Sequence, residues 1–299
     1  AVAIRADRLE LEGYIRANAP DQKWNSAGAG GSILLDVGEL VGSGGIEADG
    51  GSVDIQGGAG GGGRIAIHYR DAATFDFSRV RSKGGRLASD DARYAGAPGT
   101  VFLRDTDLAA GLVVVRNDGT NRPLAATEFH PAGGDVMEAY HADLRMMGAA
   151  PQLPVAVTAD ACHLTTTGTV TGQRLVMRGG VWNQLGAASM AEVDLSGTVW
   201  SQAAPVAVSG AFALTNDAVW HQNAAFQLPS ATSLVVSNYR HVAGLPIARD
   251  LVQVVAGGIL SAREGASLTI TAATVMVGHD AAIDVSGRGP QGLGTNETE

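Results

Sequence analysis

The tetrapeptides VWNQ (181–184), VWSQ (199–202) and VWHQ (219–222) are one motif met three times, with only its third residue changing. Trp182 and Trp200 lie 18 residues apart, and Trp200 and Trp220 lie 20 apart. A unit that short buries no core of its own, so a chain that returns to it in phase is stacking copies. The flanks repeat as well. RLVMRGGVWNQ, EVDLSGTVWSQ and FALTNDAVWHQ each set an apolar alternation (Leu175 and Met177; Val193 and Leu195; Phe212 and Leu214) before a polar or glycine turn and the Val-Trp pair. Alternation at period two marks strands.

Further copies fade along SLVVSNYRHV, where Tyr239 takes the tryptophan place, QVVAGGILSA and ATVMVGHDAAIDVSG. Six turns of about 18–23 residues result, a period that belongs to solenoids. Shorter runs such as PVAVSG and AFQLPS give each turn at least two strands. We therefore expect an all-β chain folded as a right-handed parallel β-helix or a closely related β-solenoid. A β-sandwich also has short strands and frequent turns, but it gives no reason for one tetrapeptide to recur in phase.

Composition agrees with thin layers. Of 299 residues 41 are glycine, 17 % are charged and 5 % aromatic, which leaves small and β-branched side chains as core material. The net charge of -9, with Lys23 and Lys83 as the only lysines, argues against a nucleic-acid partner, because backbone phosphates are held by clustered cations. No apolar run is long enough for a membrane span. Cys162, the single cysteine, reads as a small buried strand residue. The chain opens in what reads as mid-strand, so we expect an excerpt of a longer protein.

Three stretches divide the chain: a Gly-rich half (1–119), a connection (120–153) and Trp-laddered coils (154–299). In the first, GGSILLDVGELVGSGGIEADGGSVDIQGGAGGGGRIAIHYRD alternates apolar residues between glycine clusters, expected to form bends between coils. In the connection, Val136, Tyr140, Leu144 and Met147 have helical spacing, yet the segment reads equally as two short strands, which we favour. A longer repeat links the two ends. VAIRADRLELEGYIRANAP matches LTITAATVMVGHDAAIDVSGRGP, with Ile4 on Ile270, Leu11 on Val277 and, after a two-residue insertion, Ile15 on Ile283. Residues 268–294 therefore start a second copy of the N-terminal segment, as one unit of a tandem array would.

GGGGRIAIHYRDAATFDFSRVRSKGG followed by AGAPGTVFLRD, together with the terminal AAIDVSGRGPQGLG, resembles a Gly-rich β-helix segment that recurs in very large secreted or surface-anchored bacterial proteins. The resemblance covers mainly residues 1–116 and 268–294. It implies an extracellular adhesin- or fibre-like protein at the bacterial cell surface, with a structural or adhesive role. It carries no catalytic residue across. The expected partners are copies of the chain or neighbouring repeats, because the uncapped ends of a solenoid offer unpaired backbone groups, and surface glycans; no cofactor is expected.

β-Helices also house polysaccharide lyases and hydrolases, so an enzymatic alternative is open; such chemistry needs an acid paired with a base or nucleophile. The densest charge cluster is Asp90 and Asp91 with Arg86 and Arg93, and it reads more simply as a solvated loop. Asp49, Asp54, Asp71, Asp105 and Asp107 near glycine turns offer hard oxygen ligands for Ca²⁺, though none fits a calcium-binding nonapeptide. Cys162 and His163 are adjacent and so point to opposite faces of a strand. The remaining candidate is the aromatic strip of Trp182, Trp200, Trp220 and Tyr239, suited to stacking on sugar rings or on a partner chain. If the valines face inward, the tryptophans face outward with Gln184, Gln202 and Gln222, which then form an amide ladder donating to the next coil, while Asn183, Ser201 and His221 face inward. Indoles are bulky for a thin coil, so we expect this outward arrangement.

Overall fold

The computed structural model describes residues 1–89, 91, 93–117, 126–129, 135–146, 156–227 and 233–286. It is a β-solenoid: among the described residues, strands of successive coils pair in parallel from Val2 to Ile283, with one antiparallel exception. One wall is a 12-stranded sheet that runs through both halves of the chain. In the second half a nine-stranded sheet forms another wall. Val136–Tyr140 and Asp143–Met146 are strands, so the second reading of the connection holds. The rest of that connection, apart from Thr127–Phe129, lies largely outside the described residues.

The halves differ in coil length. Val2 pairs with Ile33, Ile33 with Ile65 and Ile65 with Val101, giving N-terminal coils of 31, 32 and 36 residues. Leu144, Leu164, Trp182, Trp200, Trp220, His241, Leu260 and Ile283 are successive partners, which gives coils of 18–23 residues. The longer N-terminal coils have room for a glycine-walled lobe. There, backbone bonds join every third residue of neighbouring coils (Ala27 N to Gly58 O, Gly30 N to Gly61 O, Ala59 N to Tyr94 O, Gly62 N to Ala97 O). A second chain of bonds crosses between the two sides of the lobe: Gly96 N to Gly85 O, Gly85 N to Gly60 O, Gly60 N to Gly51 O and Gly51 N to Gly28 O. The glycine clusters are thus hydrogen-bonded walls, where bends were expected. Side chains are excluded from them because the α-carbons of Gly60, Gly63, Gly85 and Gly96 pack directly on the carbonyls of Gly28, Gly31, Gly51 and Gly60, one coil earlier.

The halves join at a hairpin. Thr100–Asp105 and Leu112–Arg116 pair antiparallel, so strand direction reverses within the long sheet. Val101 and Leu103 are opposite Val114 and Leu112 on one face, which covers the N-terminal core. Phe102 and Val113, on the other face, pack in the C-terminal core. The two interiors therefore lie on opposite faces of one sheet. Reversing strand direction and switching face together leave the winding sense unchanged from one half to the other.

Candidate functional site

The VWxQ strands bury what was expected outside. Trp182, Trp200 and Trp220 are fully buried, as are Gln184 and Gln202, while Val181, Val199 and Val219 are only half-buried. The outward assignment, and with it the sugar-stacking strip, is corrected. Asn183, Ser201 and His221 face out. The interior accepts three indoles because they share one column. Trp182 and Trp200 stack with ring centroids 5.0 Å apart and planes 8° apart, and Trp200 and Trp220 at 5.0 Å and 6°. That separation is close to the spacing of neighbouring strands, so each coil contributes one ring and no strand is displaced. Phe226 meets the column edge-on at 4.8 Å from Trp220.

The column continues one ring beyond the motif, through His241. Register places Arg240 opposite Val219 and His241 opposite Trp220, with the two rings 4.2 Å apart and 7° from parallel. Tyr239 falls opposite Ala218, so its expected place in the ladder is corrected; it is buried and its hydroxyl donates to the Val235 carbonyl at 3.2 Å. Burial raises the Tyr239 pKa. Burial, assisted by the charge of Arg249, holds the His241 pKa down to about 3. The ring is therefore neutral near pH 7, and Nε2 lies 2.8 Å from Gln222 Oε1, an acceptor that selects the Nε2–H tautomer.

Gln184, Gln202 and Gln222 share the face of the tryptophans, and the expected donation to the next coil holds for Gln184 and Gln202. Their amides donate to backbone carbonyls, in part on the next coil: Gln184 to Ala204 at 3.1 Å, and Gln202 to Ala225 at 2.9 Å. Two of the side-chain oxygens serve the aromatic column: Gln202 Oε1 accepts from Trp220 Nε1 at 3.0 Å, and Gln222 Oε1 lies 2.8 Å from His241 Nε2. Thr166 takes the same role for Trp182 at 3.3 Å. At the middle step the matching atoms, Trp200 Nε1 and Gln184 Oε1, are buried without a hydrogen bond.

The acidic candidates are dispersed in coil-to-coil and turn contacts. Asp49 accepts from Arg81 Nε at 2.8 Å and from Lys83 N at 2.9 Å. Asp71 and Asp105 cap turns by accepting from Ala73 N and Asp107 N, while Asp54 and Asp107 are exposed. Among the described residues no group of three or more histidine, cysteine, aspartate or glutamate side chains is placed to hold a metal ion. Asp91 pairs with Arg93 at 2.7 Å, which holds its carboxyl below the ordinary range; Asp90 lies outside the described residues. Cys162 is buried, with Sγ 3.2 Å from the Asp160 carbonyl, and His163 sits half-buried on the other face.

Two concavities stand out. One, of about 370 Å³, is lined by Tyr14, Glu47, Arg79, Arg81, Lys83 and Arg116 among others. Glu47 is its only carboxylate among the described residues. Burial opposes its ionisation, but hydrogen bonds from Arg16 (2.9 Å) and Asn18 (3.1 Å) and the charge of Arg81 prevail, and its pKa is lowered. Asp49, two residues on, shares the Arg81 guanidinium with Glu47, so both carboxylates are held as ion-pair partners between coils. The other concavity, of about 420 Å³, is aromatic and lies beside Phe212, Trp220, Tyr239 and His241, where the long sheet ends at Phe226–Gln227. Among the described residues no helix is long and apolar enough to cross a membrane. Compared with protein-family models, with curated proteins and with solved structures, the chain matches none.

Proposed function

We propose that the chain is a structural repeat unit, a stiff spacer within a larger extracellular protein of the bacterial surface, joined end to end to neighbouring repeats. The observation that carries this reading is the continuity of the long sheet. Within each half the inward columns are continued in register from coil to coil, and the hairpin joins the two halves through the same sheet, so that bending the stack breaks a ladder of backbone bonds. The eleven strands along the long sheet alone span roughly 50 Å at the usual strand spacing. Rows of ion pairs between coils (Arg5 with Asp36 at 2.8 Å, Arg8 with Glu39 at 2.7 Å, Arg16 with Glu47 at 2.9 Å) follow the same register and favour one stacking phase. Localisation outside the cell rests on the resemblance of residues 1–116 and 268–294 to segments of secreted and surface-anchored proteins.

The test is small-angle scattering of the full chain together with incubation on neutral and acidic bacterial polysaccharides. The expected result is an elongated rod, thicker over the half with the longer coils, and no release of reducing ends or unsaturated sugars. A compact particle, or polysaccharide cleavage that follows the protein through purification, overturns the reading.

A further inference from the structure

The coil at the C-terminal end repeats the coil at the N-terminal end in sequence, and the structure extends the match to the way each coil bends. In the first coil Val2, Ile4 and Ala6 face the core, and the alternation then slips by one residue so that Leu9 and Leu11 face it too. Leu268, Ile270 and Ala272 pack on the core 266 positions later, and the strands Ile270–Thr271 and Thr274–Val277 are separated at the same slip. Val275 and Val277 then stand opposite the core residues Val252 and Val254, and Ile283 opposite Leu260. The strand Tyr14–Arg16 corresponds to Ala282–Ile283 beyond the insertion.

The two coils differ in which side is covered. The first has the strands Ser32–Val41 and Gly45–Glu47 on one side of it. The last is covered on its opposite side, by the coil that holds Ile247–Ala248, Leu251–Val255 and Ile259–Ala262. Leu11, under its neighbour, is 8 % exposed; its counterpart Val277 is 49 % exposed, with Val275 at 46 %, Ile283 at 37 % and Val285 at 48 %. One coil type thus shows both of its contacts, each at a different end of the chain. The unchanged winding sense across the hairpin means that the second contact is made with the same hand as the first.

Resting on the spacer reading, we propose that the outer face of the C-terminal coil is the docking site for a second copy of the Gly-rich half, stacked in the register that Ser32–Glu47 has on the first coil. In that register Ile270 meets Leu35 of the incoming copy, Val275 meets its Leu40 and Ile283 meets its Ile46, as Ile4, Leu9 and Ile15 do within the chain. The junction between units is then an uninterrupted solenoid with no cap and no linker, and its interior passes from the side-chain columns of one unit to the glycine-walled coils of the next.

The experiment extends the full chain by placing residues 19–117 directly after Ser286, the position equivalent to Asn18. Val277→Cys serves as reporter, with buried Cys162 as internal control. The expected result is maleimide labelling of the Val277→Cys thiol at least tenfold slower in the extended chain than in the parent, and disulfide formation when Val275→Cys is combined with Leu40→Cys in the appended copy. Unchanged labelling with Cys162 still protected overturns the proposal, as does loss of Cys162 protection, since a seamless coil adds stability to its neighbour. A preference for crosslinking through the appended Val41→Cys overturns the register. Labelling of the parent that slows with concentration assigns the face to self-association instead. A rod in scattering with the reporter thiol unprotected removes this junction and leaves the spacer reading standing.

Discussion

Replacing Trp200 and Trp220 separately by phenylalanine isolates the hydrogen bond from the stack. Both indoles are fully buried in one column, with neighbouring rings at 5.0 Å, so Trp→Phe removes a similar apolar volume at either site and leaves an aromatic face in place. The polar consequences have opposite signs. Trp220→Phe deletes the donor to Gln202 Oε1 and leaves that oxygen with a lost partner, whereas Trp200→Phe deletes an indole N–H that has no partner. A buried polar atom without a hydrogen bond costs about 1–3 kcal/mol. Trp220→Phe is therefore expected to be the more destabilising by about 2 kcal/mol, on top of a shared packing loss of about 1–3 kcal/mol for the reduced ring. Urea unfolding followed by far-UV circular dichroism reads the difference as a shift in midpoint at constant slope. Trp24 is exposed and lies outside the column, so it supplies a constant fluorescence background. Equal midpoints, or a larger loss at Trp200, refute the account of the ladder in which glutamine oxygens hold the indoles.

Gly60→Ala drives a β-carbon into the Gly28 carbonyl and disturbs bonds that pass through Gly60 in both directions, for an expected loss of about 3 kcal/mol. Gly58→Ala, where the nearest atom is Ser26 Oγ at 3.9 Å, is expected to be nearly neutral, and equal thermal shifts for the two variants count against the close-packed lobe. His241 makes the fold acid-sensitive: its pKa is 6.5 in the unfolded reference and about 3 when folded, so the unfolded chain binds the extra proton between those values. The stability it supports is complete above about pH 6.5 and falls by about 1.4 kcal/mol per pH unit below it. His241→Phe keeps a ring on Trp220, lowers the plateau through the lost Gln222 contact and flattens the slope between pH 6 and 5; identical slopes in titrated urea midpoints contradict the buried neutral imidazole.

The sequence shows where the coils repeat more readily than which way their side chains point. The phase of Val181, Val199 and Val219 could be read directly, and the pairings Trp182 with Trp200 and Trp200 with Trp220 follow it. Period two alone does not say which set faces inward, because Val-x and Trp-Gln alternations fit a strand equally well. What decides it is a cooperative effect absent from any single coil: a column of indoles matches the strand spacing, and two of its three N–H groups are met by an oxygen of the preceding coil, Thr166 Oγ1 for Trp182 and Gln202 Oε1 for Trp220. The constant glutamine is the signal, since Gln202 and Gln222 give their oxygens to the ring of the next coil. Tyr239 invites a place in the ladder because it is aromatic, whereas the register sets Val219 opposite Arg240 and stacks an imidazole on the last indole. The N-terminal coil length was hidden by glycine walls that have no side-chain pattern. It was nevertheless written in charge, since Arg5, Arg8 and Arg16 each find an acid 31 residues on.

The two halves close their interiors with different shares of side-chain and backbone contact. In the C-terminal coils the space between walls is filled by side chains that repeat in columns, so each column tolerates change only if the next coil offers a surface of the same shape; Trp220 passes to His241 and then to Leu260 as the ring size falls. In the N-terminal half side chains also stack in a column (Ile4, Leu35, Ile67 and Leu103), and beside it the lobe is closed largely by backbone contacts between glycines. Columns require like against like along the axis, whereas a glycine wall meets only peptide groups. In the proposed stacking the seam joins in both ways, since Ile270, Val275 and Ile283 meet the incoming Leu35, Leu40 and Ile46 as Ile4, Leu9 and Ile15 do within the chain, while the glycine walls of the incoming coils stack through their backbone. A repeated first coil would therefore supply the matched columns at the seam itself, so that units whose other columns have drifted apart would still join in one register.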